Sequence, residues 1–343
     1  MSRLIANTLF VTTPGAYLKV RELSLQVVLD GKVELAVPFH HLRSIAVFGH
    51  GAVSTGVLER CAASGIAVTF LGMNGKIHAR VDAPVSGNVL LRREQFRAAD
   101  DDARSLAIAR WCVAGKLNNE RVLLLRASRD EGVTGVTRLE LRTAAAKVKQ
   151  RIVSLPSAAT GDELRGHEGT ATRAYFDGFR RMLRQPGLAM HGRNRRPPRD
   201  PVNALLSFVY GLLEQDCYAA AVSAGLDPAV GFMHRDRPGR SGLALDLMEE
   251  FRPLIADRVV LAAVNRRQVT ADDFEIREGG GTLLNAAGRK AVVSAYRERS
   301  VEEVHHPLLG EQATVGELPF IQARLMARHI RGELMAYPPC VLR

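Results

Sequence analysis

The sequence predicts an α+β protein: a small N-terminal β-sheet domain over residues 1–85, followed by a larger all-α domain over residues 86–343. Three observations predict it. Residues 7 to about 82 alternate short runs rich in Val, Leu, Phe and Thr with turn chemistry, the texture of strands. Beyond Asp82-Ala83-Pro84, long stretches carry apolar residues three and four apart and are dominated by Ala, Leu, Arg and Lys, the texture of helices. A chain of 343 residues is also long enough for two domains that each bury a core.

Taken in order, Asp30-Gly31 and Asn74-Gly75 stand where tight hairpins would turn, because both pairs tolerate positive φ. One short helix, residues 53–64, interrupts the strands. The larger domain has helical patterns at 101–126 and 139–152. Leu164, Glu168, Ala171, Tyr175 and Gly178 then form one continuous helical face. Asp200-Pro201 opens the next helix, with a capping carboxylate followed by proline at the first position, where its missing N–H costs nothing. That helix continues through Asn203, Leu206, Tyr210 and Leu213. Gly279-Gly280-Gly281 lacks the Lys and Ser/Thr of a phosphate-binding loop and reads as a turn. Helical patterns otherwise continue to the end.

The composition, 46% hydrophobic and 24% charged, excludes a disordered, collagen-like or coiled-coil chain. Lys and Arg number 47 against 36 Asp and Glu, a formal charge of +11 that points to a polyanionic partner, nucleic acid before anionic lipid. Cysteines at 61, 112, 217 and 340 form no C-x-x-C pair, so neither a zinc ribbon nor a disulfide framework is expected. The opening residues lack the pattern of a secretion signal and no apolar run is long enough to span a bilayer, so the expected location is cytoplasmic, with no membrane partner.

The chemistry concentrates in three places. Glu168 takes a position on its helix where an apolar residue is expected. Such a carboxylate either coordinates a cation or is bridged to a basic side chain, since unpaired burial is costly. Gly231-Phe232-Met233-His234-Arg235-Asp236-Arg237 is a non-helical stretch with one histidine among basic residues, and the helix after it carries Asp246, Glu249 and Arg252 on one face. Leu243, Leu247, Phe251 and Ile255 form that helix's buried stripe. Two carboxylates and a neutral imidazole suit a divalent ion of the magnesium or manganese type, which can polarise a phosphodiester; ordinary surface acids and a capped histidine are the other reading. From Gly178 to Arg199 there are seven arginines and no acid, a run better explained by phosphate contacts than by solvation alone.

Three motifs carry a resemblance to a known family. They are Gly166-His167-Glu168-Gly169 with Arg173 and Tyr175-Phe176, then Arg195-Arg196-Pro197-Pro198 leading into Asp200-Pro201-Val202-Asn203, and finally Gly231-Phe232-Met233-His234 with the run from Leu243 to Pro253. Together they resemble the CRISPR-associated endonuclease and integrase of spacer acquisition, the Cas1 family, over the whole chain. The Leu243–Pro253 wording looks like the variant found with type I-C systems. One departure is visible: the family commonly has Pro-Ser before this run, and here the pair is Ser241-Gly242.

The resemblance implies a homodimer built through the N-terminal domain and a helical catalytic domain. It implies Mn2+ or Mg2+ held by Glu168, His234 and Glu249, with Asp246 as an accessory catalytic acid. Arg173, Arg195, Arg196, Arg235, Arg237 and Arg252 would contact double-stranded or branched DNA, with Arg289 and Lys290 extending the same field. The implied reaction is attack by a DNA 3′-hydroxyl on a phosphodiester at a CRISPR repeat boundary, and the same centre would cut branched DNA. A small dimeric adaptation protein of the Cas2 family would complete a heterohexamer. Two other classes compete: an architectural DNA binder, separated by metal dependence, and a hydrolase of small phosphorylated molecules, separated by salt dependence.

Overall fold

The computed structural model describes residues 7–73, 75, 77–81, 88–194 and 197–341, and the chain divides into two compact units, Met1–Gly87 and Asn88–Arg343. The first unit runs through β1 (Asn7–Val11), β2 (Tyr17–Arg21), β3 (Ser24–Leu29), β4 (Lys32–Pro38), β5 (Leu42–Phe48), β6 (Ala52–Val53), α1 (Thr55–Ser64), β7 (Ala67–Leu71) and β8 (Ile77–Val81). These strands form two four-stranded sheets, in the orders β1-β5-β7-β8 and β4-β3-β2-β6.

The β3–β4 hairpin turns at Asp30-Gly31 as predicted, with φ of 50° and 78°. Both signs are those a tight hairpin demands, and Gly31 adopts its angle without steric cost. The other predicted turn joins β7 to β8 as an antiparallel pair; Gly75 has φ 80°, while Asn74 lies outside the described residues. Not every neighbour is a hairpin. Strand β5 pairs in parallel with both β1 and β7, and its Ile45, Ala46, Val47 and Phe48 are wholly buried, the continuous apolar run of a strand covered on both faces. Leu18, Leu25, Ile45 and Val47 share one core with Val57 and Cys61 of α1, so both sheets and the helix are held by the same burial.

The second unit begins with α2 (Val89–Asp100), α3 (Asp102–Ala127), α4 (Gly135–Ser154), α5 (Gly161–Met182), α6 (Pro201–Ser223), α7 (Gly242–Phe251) and α8 (Asp257–Asn265). Asp101 caps α3 by accepting the Ala103 and Arg104 N–H groups, and Asp200 caps α6 by accepting that of Asn203 at 2.8 Å. Helices α3, α4 and α5 pack on one another, and α7 packs against α3 and α6. A π-helical turn, Arg252–Ala256, joins α7 to α8.

Here the structure departs from the sequence pattern, which predicts helices to the end. Two ribbons interrupt it: β9 (Phe274–Ile276) with β10 (Thr282–Leu284), then, after α9 (Ala286–Ser300), β11 (Glu303–His305) with β12 (Gln312–Thr314), followed by α10 (Leu318–Ile330). Strands of three residues are too short to reveal a period of two. The predicted turn at Gly279-Gly280-Gly281 is the bend of the first ribbon, with φ of 92° and 78° at its first two glycines. The unit is therefore mostly helical rather than all-α. All four cysteines are buried and free, and among the described residues no helix is long and apolar enough to cross a membrane.

Candidate active site

The site is assembled from α3, α5, α7 and the loop that precedes α7. That loop is drawn in tightly. A Cβ at Gly231 would lie 2.6 Å from the Gly242 backbone carbon and 2.9 Å from Asp246 Oδ2, and one at Gly242 would meet the Ala229 carbonyl at 2.6 Å. Glycine at 242 is thus what this close approach requires. Gln95 of α2 holds the loop from the other side, accepting the Asp227 N–H and donating to the Asp227 and Val230 carbonyls, each at 2.8 Å.

Within this frame Asp246, fully buried, has both oxygens engaged. Oδ2 accepts the Phe232 and Met233 N–H groups at 2.6 and 3.0 Å, and Oδ1 accepts the His234 N–H at 3.0 Å and lies 2.6 Å from His234 Nδ1. With Nδ1–H donating to the Asp246 carboxylate, the Nε2 lone pair is left for another partner, the arrangement that orients histidine toward metals. Nε2 faces Glu249, 3.7 Å from Oε1. Glu249 also meets Arg252 Nη1 at 2.7 Å. Burial would raise the Glu249 pKa, yet Arg252, Lys116 and His234 pull it down to about 2. Asp246, Glu249 and Arg252 thus converge as their spacing predicts, and Leu243, Leu247, Phe251 and Ile255 form the buried stripe.

Glu168 comes to the same place from α5, 18% exposed where Glu249 is 2%. Between the two lies a residue the sequence reading missed. Lys116 of α3, its side chain 4% exposed, hydrogen-bonds Glu168 Oε1 and stands 2.8 Å from Glu249 Oε2. That Glu249 oxygen is buried, and the Lys116 ammonium is its charge partner. Burial alone would favour a neutral amine, but Glu249, Glu168 and Glu120 more than offset it and hold the Lys116 pKa above the usual lysine value.

Glu120, one turn further along α3, was missed as well. Its Oε2 is buried without a partner, its Oε1 is 3.3 Å from the Thr172 hydroxyl, and that hydroxyl donates to Glu168 Oε1 at 3.0 Å. Burial pushes its carboxyl up to about 8, against the pull of Lys116. A signal for both existed. Ile108, Cys112, Lys116, Glu120 and Leu124 form one buried i, i+4 row, and a charge in an apolar row is the argument that singles out Glu168. Behind Arg252, the Tyr210 ring carries two guanidiniums over it, Arg252 at 5.1 Å and Arg193 at 5.4 Å from its centroid. The Tyr210 and Tyr175 hydroxyls donate to the buried Asp257 at 2.8 and 2.6 Å.

The arginines scatter more than their sequence suggests. The run between Gly178 and Arg199 is acid-free only along the chain, because Arg180, Arg181 and Arg184 reach Asp177, Glu140 and Asp130. Arg193 donates to Asn203 Oδ1 at 2.7 Å and ties the loop to α6. Arg195 and Arg196 lie outside the described residues. Arg173, Arg237 and Lys290 are exposed. Arg235 is exposed too, 3.6 Å from Asp162. Arg289 is half-buried and donates to the Leu284 carbonyl, while Arg252 stands inside the site on Glu249.

The residues fit a divalent cation by their chemistry: two carboxylates, an imidazole with its second nitrogen fixed, and an ammonium already standing between the carboxylates. Among the described residues, however, no three carboxylate, imidazole or thiolate groups stand close enough together to grip an ion as they are. Acids gathered with buried and exposed cations on a mostly helical unit, preceded by β-sheets, define a candidate enzyme of phosphodiester chemistry. Comparison with known proteins makes the class specific. Residues 9–298 match the family described as CRISPR associated protein Cas1. The chain is 47% identical over 347 residues to a CRISPR-associated endonuclease Cas1 of Rhodospirillum rubrum, covering 99% of each. A Cas1 protein from Thermotoga maritima superposes with a TM-score of 0.80 at 22% identity, covering 95% of this chain and 97% of that one. A chain of a Cas6-RT-Cas1–Cas2 complex matches with a TM-score of 0.81 at 23% identity, over 98% of this chain and 36% of its own. The chain belongs to the Cas1 family, the endonucleases and integrases of CRISPR spacer acquisition, whose nucleases are metal-dependent.

Proposed function

We propose that Glu168, His234 and Glu249 hold a divalent ion, Mn2+ or Mg2+, and that the chain joins a DNA 3′-hydroxyl to a phosphodiester at a repeat boundary and cuts branched DNA at the same centre. The observation that carries this is the Asp246-fixed imidazole, its Nε2 turned to Glu249. When bound, the ion would supply Lewis acidity to the phosphoryl oxygens and acidify the attacking hydroxyl. Asp246 acts through His234 and is a positioning residue. Arg252 keeps Glu249 ionised and adds positive charge where phosphoryl charge develops. Arg173, Arg235, Arg237 and Lys290 are exposed for phosphate contact, with Arg289 half-buried, and Arg195 and Arg196 are assigned to the same role on their sequence motif alone.

The catalytic centre lies in the larger domain, residues 86–343, and the β domain, residues 1–85, dimerises the chain. Val33 and Leu35, 48% and 44% exposed on edge strand β4, supply apolar surface for such a contact. The homodimer works with a small dimeric Cas2-family protein in a heterohexamer; the Cas6-RT-Cas1–Cas2 complex among the similar structures supports the pairing of the two families. The Leu243–Pro253 wording supports the type I-C variant. Strand joining and branched-DNA cleavage in Mn2+, measured for Glu168→Ala, His234→Ala and Glu249→Ala at matched DNA binding, test the site. All three should abolish both reactions while binding persists. Variants as active as the parent would refute the assignment.

A further inference from the structure

Lys116 takes no part in the chemistry above, yet it stands between two of the residues assigned to the metal. Its side chain is 4% exposed, hydrogen-bonded to Glu168 Oε1 and 2.8 Å from Glu249 Oε2. A buried ammonium among acids is costly to place unless its charge is needed there. We propose that Lys116 is the resident counter-ion of the metal site, a positioning residue that spans Glu168 and Glu249 until a divalent cation takes their oxygens. The inference rests on the reading of Glu168, His234 and Glu249 as ligands.

The physical case has three parts. Two carboxylates facing one another in a largely buried site repel, and a single positive charge between them removes that repulsion and sets their spacing. The same charge competes with any incoming cation for the same oxygens, which fits the failure of three ligand groups to close on one point in this arrangement. The backbone beneath is pinned, since a Cβ at Gly115 would lie 2.8 Å from Pro339 Cβ and 2.9 Å from Glu250 Cγ. Yielding therefore falls to the side chain, a flexible four-carbon stem whose head can leave without moving α3.

Lys116→Met keeps the length and deletes the charge. In EDTA its Tm should fall by roughly 10 °C, because one partner of a buried ionic cluster is gone. Titrated with MnCl2 and followed by electron paramagnetic resonance and by Tm, it should bind Mn2+ roughly tenfold or more tightly than the parent, since the ion no longer displaces an ammonium. Mn2+ binding by Lys116→Met that is equal or weaker overturns the inference. Should Lys116→Met not fold in EDTA, Lys116→Met combined with Glu168→Gln restores the charge balance and should fold. A double variant no more stable than Lys116→Met also overturns it. Parent and Glu168→Gln run alongside: if the parent shows no Mn2+-dependent gain in Tm that Glu168→Gln loses, the ligand assignment fails and takes the counter-ion with it. If that gain is present and Lys116→Met binds no tighter, the counter-ion alone fails.

Discussion

Glu249 and Glu250 are neighbours on α7, both buried, and they have opposite fates. Glu249 is surrounded by Arg252, Lys116 and His234, and its carboxyl is held down at about 2. Glu250 turns to neutral donors: the Tyr337 hydroxyl at 2.5 Å, the Cys340 N–H at 2.7 Å and the Gln322 amide at 3.2 Å. Burial lifts it to about 7. Asn119 seals the same junction, donating to the Glu250 carbonyl at 3.0 Å and the Cys340 carbonyl at 2.8 Å. The contrast separates two uses of one residue type. Cations make a buried carboxylate a reactive anion, and neutral donors make it a clamp for the C-terminal segment.

The sharpest way to break that contrast is kinetic. Glu249→Gln should lower strand joining and cleavage on the order of 100- to 1000-fold, the scale of losing one electrostatic stabiliser. Glu250→Gln should stay near the parent in both assays; an equal loss there would erase the distinction. Urea unfolding tests the clamp. Glu250→Ala strands two buried donors, the Tyr337 hydroxyl and the Cys340 N–H, and should cost roughly 3 kcal/mol; a negligible change would refute the clamp.

Smaller effects sharpen the picture around Glu249. Asp246→Asn disturbs the imidazole without touching Glu168 or Glu249, so Mn2+ affinity should drop about 10- to 100-fold in a binding titration; unchanged affinity would mean His234 is oriented by something else. The smallest expected effect is a slope. Glu120 is lifted from 4.5 to about 8, so the folded protein keeps this proton where the unfolded chain loses it. Its contribution to stability therefore falls as pH rises from near 4.5 through about 8 and is flat above. Glu120→Gln should flatten that part of the melting-versus-pH profile and raise stability at pH 8. A parallel profile for the two proteins would remove Glu120 from the coupled cluster.

How much was legible beforehand depended on period and reach. The α7 spacing placed Asp246, Glu249 and Arg252 together and Leu243, Leu247, Phe251 and Ile255 in the core, because residues three and four apart share a face whatever surrounds them. The Asp30-Gly31 turn and the Asp200-Pro201 cap were legible for the same local reason. The charges of Lys116 and Glu120 in an apolar row were a legible signal that went unread, whereas their place in the site was not legible, since it is set by partners 52 residues away, Glu168 for the first and Thr172 for the second. The acids that quench Arg181 and Arg184 lie on or before α4, far along the chain, so a run that looks unpaired in one dimension is partly paired in three. The ribbons β9–β10 and β11–β12 fell below the length at which alternation can be recognised.

The π-helical turn at Arg252–Ala256 acts as a phase shifter. Such a turn is an α-helix carrying one residue too many, and Pro253, which has no N–H to offer, sits inside it. Upstream, Glu249 faces Lys116; downstream, Asp257 meets the hydroxyls of Tyr175 and Tyr210. Removing one residue there would let an ordinary helix run on and would rotate everything after it by about 100°. Asp257 would swing off both tyrosines while Glu249 kept its place, so the spare residue is what lets one rod serve two buried polar centres whose bearings differ.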